Sequence, residues 1–404
     1  MDTKPTGRRA FLKSSLSTAA IAAAPLVLTA RRGDAAQAQA PQGQAGPQPA
    51  GEPRIRFAAI GMNHGHINGQ CDALIRAGGE LVSFYAKEPD LAAAFAKRYP
   101  KAVLAKSEQE ILDDKRIALV TSASIANERA PLGIRVMKAG KDFLSDKPAM
   151  TTLAQLAEVR KVQAETKRIF SVMYSERHEN RATVKAGELV QAGAIGTVIQ
   201  TVGLGPHREI QGAGGRPDWF YVKEQYGGIL TDIASHQFDQ FLFFTGSTEA
   251  TVVASQVGNL RHPDKPGLED FGDCMVRGNG GTGYIRVDWF TPKGLATWGD
   301  GRLTILGTDG YIEVRKNIDI ASGKPGGSHL YLVDQKETRY VDCKDVALPF
   351  AGKLIDDVLN RTETSMPQKH TFLAMQLALE AEANAHKLTP GSAPGGGTRS
   401  SARG

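Results

Sequence analysis

The chain is poor in cysteine. Its three, Cys71, Cys274 and Cys343, stand far apart and are odd in number. That excludes a disulfide framework and a cysteine-built metal site, and leaves them as small buried hydrophobes. A basic stripe with interleaved aromatics is also missing. The first 52 residues hold six Lys or Arg against three acids and the last fifteen hold two Arg, so of the formal +6 only about +1 remains for the rest. This argues against nucleic acid as a partner. No internal repeat is present. The apolar run at 14–30 is 17 residues broken by Pro25, too short for a stable membrane span.

What that run does have is a context. GRRAFLK (7–13) precedes it and Ala38-Gln39-Ala40 follows, which together read as an export signal over residues 1–40. The adjacent Arg8 and Arg9 mark the twin-arginine type, an address read by the export machinery. That route carries folded proteins, often around a cofactor loaded beforehand, so an exported, periplasmic protein with a tightly held cofactor and no membrane span after cleavage is expected. Residues 41–53, rich in Pro, Gly and Gln, read as a flexible linker, and 390–404 as a disordered tail.

Residues 54–172 alternate short apolar runs with helical patterns, which predicts βαβ units and a doubly wound parallel sheet. PLGIRVMKAG (131–140) reads as one helix and KDFLSDKP (141–148) as a strand running into proline. From 173 to 389 the texture changes. After a helix near 184–191, strands follow one another without intervening helices, the mark of a mostly antiparallel open sheet. A final helical pair at 354–361 and 373–387 closes this second α/β domain.

The first βα turn, IGMNHGHING (60–69), places Gly61, Asn63 and His66 where a dinucleotide fingerprint has glycines, with His64 and Gly65 between. Asn63 stands in for a glycine because asparagine tolerates left-handed backbone angles. His64 and His66 lack further ligands for a metal, so none is expected. The acid that binds the ribose 2′-hydroxyl is missing at Ala86, and Lys87 follows. A cation there suits a 2′-phosphate, which favours NADP over NAD. Asp146-Lys147-Pro148 ends a parallel strand, the edge where ligands gather. There Lys147 can bond a substrate oxygen, with the neighbouring carboxylate holding its ammonium.

GGILTDIASHQFDQFLFFTG (227–246) reads as one buried helix, with Asp232, His236 and Asp239 falling within about 60° of one another. A buried histidine satisfied by the acid four residues earlier is the bland explanation. The glycine turn at Gly61, GKDFLSDKP, QAGAIGTV, GGILTDIASHQFDQ and LTILGTDGYIEV stand, however, in the order and spacing of the Gfo/Idh/MocA oxidoreductases, which the chain resembles over nearly all of residues 54–388. The resemblance implies an N-terminal Rossmann domain, NAD or NADP, a sugar or cyclitol substrate, and pairing of subunits through the second sheet. It places catalysis on Lys147, Asp232 and His236. His236 would be the general base, Asp232 would orient its imidazole, and Lys147 would stabilise the developing alkoxide and contact the cofactor. It makes Asp239 structural and Arg177 a substrate contact. It also puts a histidine where Arg129 stands.

His207, Trp219 and Tyr221 are further candidates for a polyhydroxylated ring, by stacking and hydrogen bonds. The expectation is therefore an exported, nicotinamide-dependent oxidoreductase of a sugar-like alcohol. Two rivals are a redox-assisted glycoside hydrolase or lyase of the same family and a non-catalytic sugar-binding protein. Asn63 and Ala86 favour the last.

Overall fold

Short apolar runs closed off by glycine, proline or a charged turn build the first sheet. They are β1 (Ile55–Ile60), β2 (Gly79–Tyr85), β3 (Val103–Leu104), β4 (Leu119–Ser122), β5 (Asp142–Asp146) and β6 (Phe170–Met173). All pair parallel, in the order β3-β2-β1-β4-β5-β6, the doubly wound arrangement expected. β4, β5 and β6 are buried along their whole length, as strands covered on both faces must be. This computed structural model describes residues 52–209, 215–322 and 326–389. The signal at 1–40, nearly all of the linker and the tail from 390 lie outside them.

The crossovers are α1 (His66–Arg76), α2 (Pro89–Arg98), α3 (Glu108–Asp113), α4 (Ala126–Lys138) and α5 (Leu153–Thr166). α4 begins five residues before the proline at which the sequence pattern had started it. Pro131 cannot donate to the carbonyl four residues back. That carbonyl, of Asn127, accepts instead from Gln155 Nε2 at 2.8 Å, so the helix runs through the proline with its backbone satisfied.

The second sheet has nine strands: β7 (Val198–Pro206), β8 (Ala250–Gly258), β9 (Phe271–Gly278), β10 (Gly281–Asp288), β11 (Arg302–Gly307), β12 (Gly310–Arg315), β13 (His329–Asp334), β14 (Thr338–Val341) and β15 (His386–Leu388). Only the β7–β10 and β8–β15 pairs are parallel; the rest are antiparallel. β10, β11 and β12 alternate buried and open positions, the pattern of a sheet covered on one face.

The other helices are α6 (Ser175–His178), α7 (Arg181–Gln191), α8 (Lys223–Tyr226), α9 (Ile229–Asp232), α10 (Ser235–Thr245), α11 (Phe350–Asn360) and α12 (Gln368–Ala383), with a 3₁₀ turn at Asp218–Tyr221. Two differ from the sequence pattern. The long buried helix of 227–246 is in fact α9 and α10, because the backbone ladder tightens to three-residue spacing at His236 N–Ile233 O (3.2 Å) and Gln237 N–Ala234 O (2.9 Å). The final helix stops at Ala383, and His386–Leu388 pairs with β8 instead of extending it.

The C-terminal helices return to the first sheet. Phe350, Ala351, Leu354, Ile355 and Val358 of α11 join the same core as Phe57, Leu74, Leu81 and Phe84. In α12, Gln368 accepts from Phe170 N (2.9 Å) and donates to Phe170 O (3.2 Å), closing the outer edge of β6. Leu354 is fully buried in that core. Leu354→Ala is expected to cost about 2–5 kcal/mol, read as a lower urea midpoint at an unchanged slope. A loss below about 0.5 kcal/mol would mean that α11 is not part of the first sheet's core.

Candidate active site

Loops leaving β1, β2, β4 and β5 form one edge of the site. Gly61 ends β1 with φ +78°, and a Cβ there would lie 2.6 Å from that of Ser124, so the turn needs glycine on both counts. Asn63 is not its left-handed stand-in. The non-glycine residues with positive φ, among those described, are Lys167, Ser328 and Arg361. Asn63 acts through its side chain, whose Nδ2 donates to Glu88 Oε1 at 2.8 Å. Gly65, at φ −61°, simply precedes α1 in helical conformation.

A cleft of about 240 Å³ opens here, lined by Gly61, Asn63, Tyr85, Glu88, Ser124 and Arg135 among others. An acid does stand in the β2 loop, two residues past the expected place. Lys87 lines the same cleft, but its ammonium is exposed and sits 3.2 Å from Glu128. Arg135 is likewise paired, with Glu108 at 2.5 Å. A close-approach glycine, a tied Asn–Glu pair and rim cations at the carboxyl ends of parallel strands fit the nucleoside end of a nicotinamide dinucleotide.

β5 delivers Asp146 and Lys147, the latter joined to Pro148 by a cis peptide. Asp146 is not the partner of Lys147. Its carboxylate lies 2.9 Å from His66 Nδ1, 3.5 Å from His64 Nδ1 and 3.1 Å from Arg129 Nη2. Burial alone would raise this carboxyl, but His66 and Arg129 outweigh it and hold it well below the usual carboxylate range. Arg129, fully buried, also donates to the carbonyls of Ser124 (2.7 Å), Lys147 (2.5 Å) and Pro148 (3.0 Å). It staples the β4 loop to the β5 loop, a fixing role in place of the expected histidine. Asp146 also supplies the third donor that the metal reading lacked, since His64, His66 and Asp146 converge within 4.8 Å. That carboxylate already serves Arg129 and His66, so a dication would have to compete with a buried guanidinium.

Lys147 Nζ reaches across to Asp232 Oδ1 at 2.8 Å, both groups being buried. Asp232 thus holds the lysine; it makes no hydrogen bond to His236, contrary to the orienting role expected. α9, which carries Asp232, has its N-terminal amides capped from outside. Ile229 N donates to Glu269 (3.1 Å) and Leu230 N to Glu382 (3.1 Å). A Cβ on Gly228, at φ +91°, would strike the Glu382 carboxylate at 2.2 Å, so this capping also requires glycine.

His236 is buried, and its Nδ1 has no partner. Burial, reinforced by Lys147 and opposed by Glu176, pushes its imidazole down to about 4. The ring is therefore neutral at pH 7 and able to accept a proton. Asp239 faces elsewhere: Arg177 grips it at 2.6 and 2.7 Å and His370 Nε2 approaches to 2.8 Å.

Arg177 thereby commits its Nε–Nη2 edge to Asp239, a structural pairing in place of the substrate contact expected. Its neighbour Glu176 does face the site and was missed. Glu176 Oε2 accepts from Gln237 (2.9 Å), Gln240 (3.3 Å) and Lys316 (2.5 Å), and against the effect of burial Lys316 and His236 hold its carboxyl well below the usual range. The available signal was its place on the turn after β6, the next parallel strand. Tyr221 donates to Glu209 (2.7 Å), under the Lys265 ammonium at 3.5 Å from its ring. It too is engaged.

His207 and Trp219 belong to an aromatic wall. The His64 ring lies 5.7 Å from Phe220, Trp219 lies 4.2 Å from Phe220, and His207 lies 5.4 Å from Trp289. His207 is held by Gly205 O at 3.0 Å and is pushed down to about 3 by burial and by Arg216. Phe220 and Trp289 could not be placed from sequence, since 69 residues separate them.

His64, His178, His207 and His236 are all depressed, in each case first by burial. Each takes up a proton more readily in the unfolded chain, where its value is near 6.5. This contribution to stability is therefore complete above about pH 6.5 and is lost as the pH falls toward about 4. The melting temperature is expected to drop by several degrees between pH 7 and pH 5; a flat profile there would contradict buried neutral imidazoles.

Residues 55–174 match the oxidoreductase family with an NAD-binding Rossmann fold, and residues 183–313 match the GFO/IDH/MocA C-terminal domain. A candidate oxidoreductase from Erwinia carotovora atroseptica, known as a crystal structure, is 48% identical, with a TM-score of 0.80 over 83% of this chain and 100% of that one. The levoglucosan dehydrogenase of Pseudarthrobacter phenanthrenivorans is 25% identical over 57% of each chain. The D-xylose dehydrogenase of Paenarthrobacter nicotinovorans is 26% identical over 35% of this chain and 37% of its own. The chain thus spans roughly a third to three-fifths of the length of these two curated relatives. Both domains and the near full-length likeness agree: the chain belongs to the Gfo/Idh/MocA family of oxidoreductases.

Proposed function

We propose that the protein is an exported oxidoreductase that oxidises or reduces a sugar or sugar-like alcohol with a tightly held NAD or NADP. The observation that carries this reading is the buried Lys147–Asp232 ion pair (2.8 Å), with a buried His236 whose Nδ1 has no partner and whose imidazole feels the Lys147 charge. When bound, the nicotinamide supplies the hydride acceptor or donor. Gly61, His64, Gly65, His66 and the Asn63–Glu88 pair would cradle the nucleotide, and Lys87 would meet its ribose. His236 accepts the substrate hydroxyl proton, and the Lys147 ammonium hydrogen-bonds the same oxygen as negative charge builds on it. Asp232 keeps that ammonium aimed and charged.

Dehydrogenation of D-xylose and levoglucosan by relatives supports a carbohydrate substrate. The binding-protein reading rested on Asn63 and Ala86, and the Asn63–Glu88 bond weakens it, since the cleft does contain an acid. Export by the twin-arginine route rests on Arg8-Arg9 and the apolar run after them, and on nothing in the described residues. Protein exported by its own signal and then denatured is expected to release about one nucleotide of NAD or NADP mass per chain. His236→Asn is expected to retain that nucleotide while turnover falls about 10²- to 10⁴-fold. Full turnover by the variant, or no nucleotide in either protein, would sink the proposal.

A homo-oligomer is also proposed. Ile199, Val253, Met275, Leu306 and Tyr311 stand exposed on the open face of the nine-stranded sheet, an apolar surface suited to a second copy. Light scattering should give a multiple of the chain mass, and Met275→Glu should reduce it; a monomeric wild type would refute this.

A further inference from the structure

Four buried cations of the two domains have their own acids. Arg129 has Asp146, Lys147 has Asp232, Arg177 has Asp239 and Lys316 has Glu176. Arg216 is different. Its guanidinium lies over the rings of Phe220 (4.5 Å) and Trp289 (4.2 Å), and its Nε is fully buried with no hydrogen-bond partner. The carboxylates whose charge reaches it are Asp232 and Glu209. Both are committed elsewhere, Asp232 to Lys147 at 2.8 Å and Glu209 to Lys265 at 3.0 Å. Among the described residues Arg216 has neither ion pair nor hydrogen bond. Its place is the substrate side of the wall, since Phe220 touches His64 of the nucleotide loop and Trp289 touches His207.

A partly buried cation without a counter-ion is costly unless something supplies one. Two ring faces stabilise the charge and fix the guanidinium plane, and with Nε buried it is the Nη1–Nη2 edge that is left without a hydrogen bond. A free, oriented guanidinium edge is the geometry that grips a carboxylate with two parallel hydrogen bonds. Around Arg216 the neighbouring ions are paired, which leaves its positive charge unmatched. Trp289 Nε1, buried and also without a partner, is a further donor beside it.

We propose that Arg216 binds a carboxylate on the substrate, so that the preferred substrate is a sugar acid, not a neutral sugar. This rests on the reading of the site as a sugar oxidoreductase. A monoanion suits that single unmatched charge; a phosphate dianion would leave one charge unmatched near Asp232 and Glu209.

All three tryptophans of the chain, Trp219, Trp289 and Trp298, lie in or against this wall, so intrinsic fluorescence reports on it directly. The nucleotide-bearing protein would be titrated with glucuronate, galacturonate and gluconate, with glucose and with glucuronamide, which keeps the shape of the uronate but not its charge. At least one acid should bind about 10- to 100-fold more tightly than glucose and glucuronamide. Arg216→Gln should abolish that preference and Arg216→Lys should keep part of it. Equal affinity for acids and neutral sugars in the unaltered protein would overturn the proposal without any variant. Turnover of neutral sugars with no binding of acids would overturn it while leaving the oxidoreductase reading intact. If no sugar binds and no nucleotide is present, both fail together.

Discussion

The buried pair between Lys147 and Asp232 ties the chemistry of the two sheets into one site. Lys147 comes from the exit of β5, Asp232 from α9 over the second sheet, and their atoms meet at 2.8 Å. Removing one member of such a pair strands the other charge in a low-dielectric interior, at a cost of about 3–5 kcal/mol. The pair therefore constrains position as much as it supplies charge. The approach is fixed from both sides. Arg129 holds the carbonyls of Lys147 and Pro148, while Glu269 and Glu382 hold the amides that begin α9. Those two acids share Lys223, and Lys387 also approaches Glu269 at 2.8 Å.

Electrostatic order extends outward from that pair. Asp146, Asp232, Glu176 and Asp239 each meet a buried or nearly buried cation. Matched pairs contribute little net potential at a distance, so burial decides the state of the histidines between them, and burial favours the neutral ring. His236 thus owes its depressed imidazole first to burial. No acid hydrogen-bonded to its ring is required for that, which is consistent with Asp232 serving the lysine instead.

Much of this was legible in the sequence because it is local. The alternation of strand and helix from 54 to 172 wrote the doubly wound sheet directly, and the run of strands after 196 wrote the second one. Lys147, Asp232 and His236 were named from motifs shared with the family, and the structure pairs the first two and buries the third. Pairings across long separations were not legible. Nothing near Asp232 announced that it would serve Lys147, 85 residues away, and nothing near Pro131 announced Gln155. Asn63 was credited with a backbone role when its amide was needed for Glu88. Arg177 was named from the family resemblance, and sequence does not say that its neighbour Glu176 is the one whose carboxylate meets Gln237, Gln240 and Lys316. A break of one turn between α9 and α10 is likewise a matter of packing, and helical periodicity over twenty residues passes through it unseen.

The C-terminal segment explains how so divided a site can be rigid. His236 sits on α10 over one sheet and Lys147 leaves the other, so a relative shift of even an ångström would separate them. α12 packs on both: Phe372 stacks toward Phe170 of β6, while Glu382 caps α9 and Gln368 closes the β6 edge. α11 fills the far face of the first sheet. The chain crosses to the second sheet after β6, returns after β14 and crosses again from α12 into β15, so the junction is spanned three times by covalent structure and again by the core that α12 shares with α5, α9 and α10. A hinge at a single linker would leave the Lys147–Asp232 pair to be remade at each closure, with its desolvation cost incurred every time. A junction locked at both ends keeps the ions desolvated and aimed before substrate arrives, the preorganisation that lets fixed charges act on a transition state without reorganising.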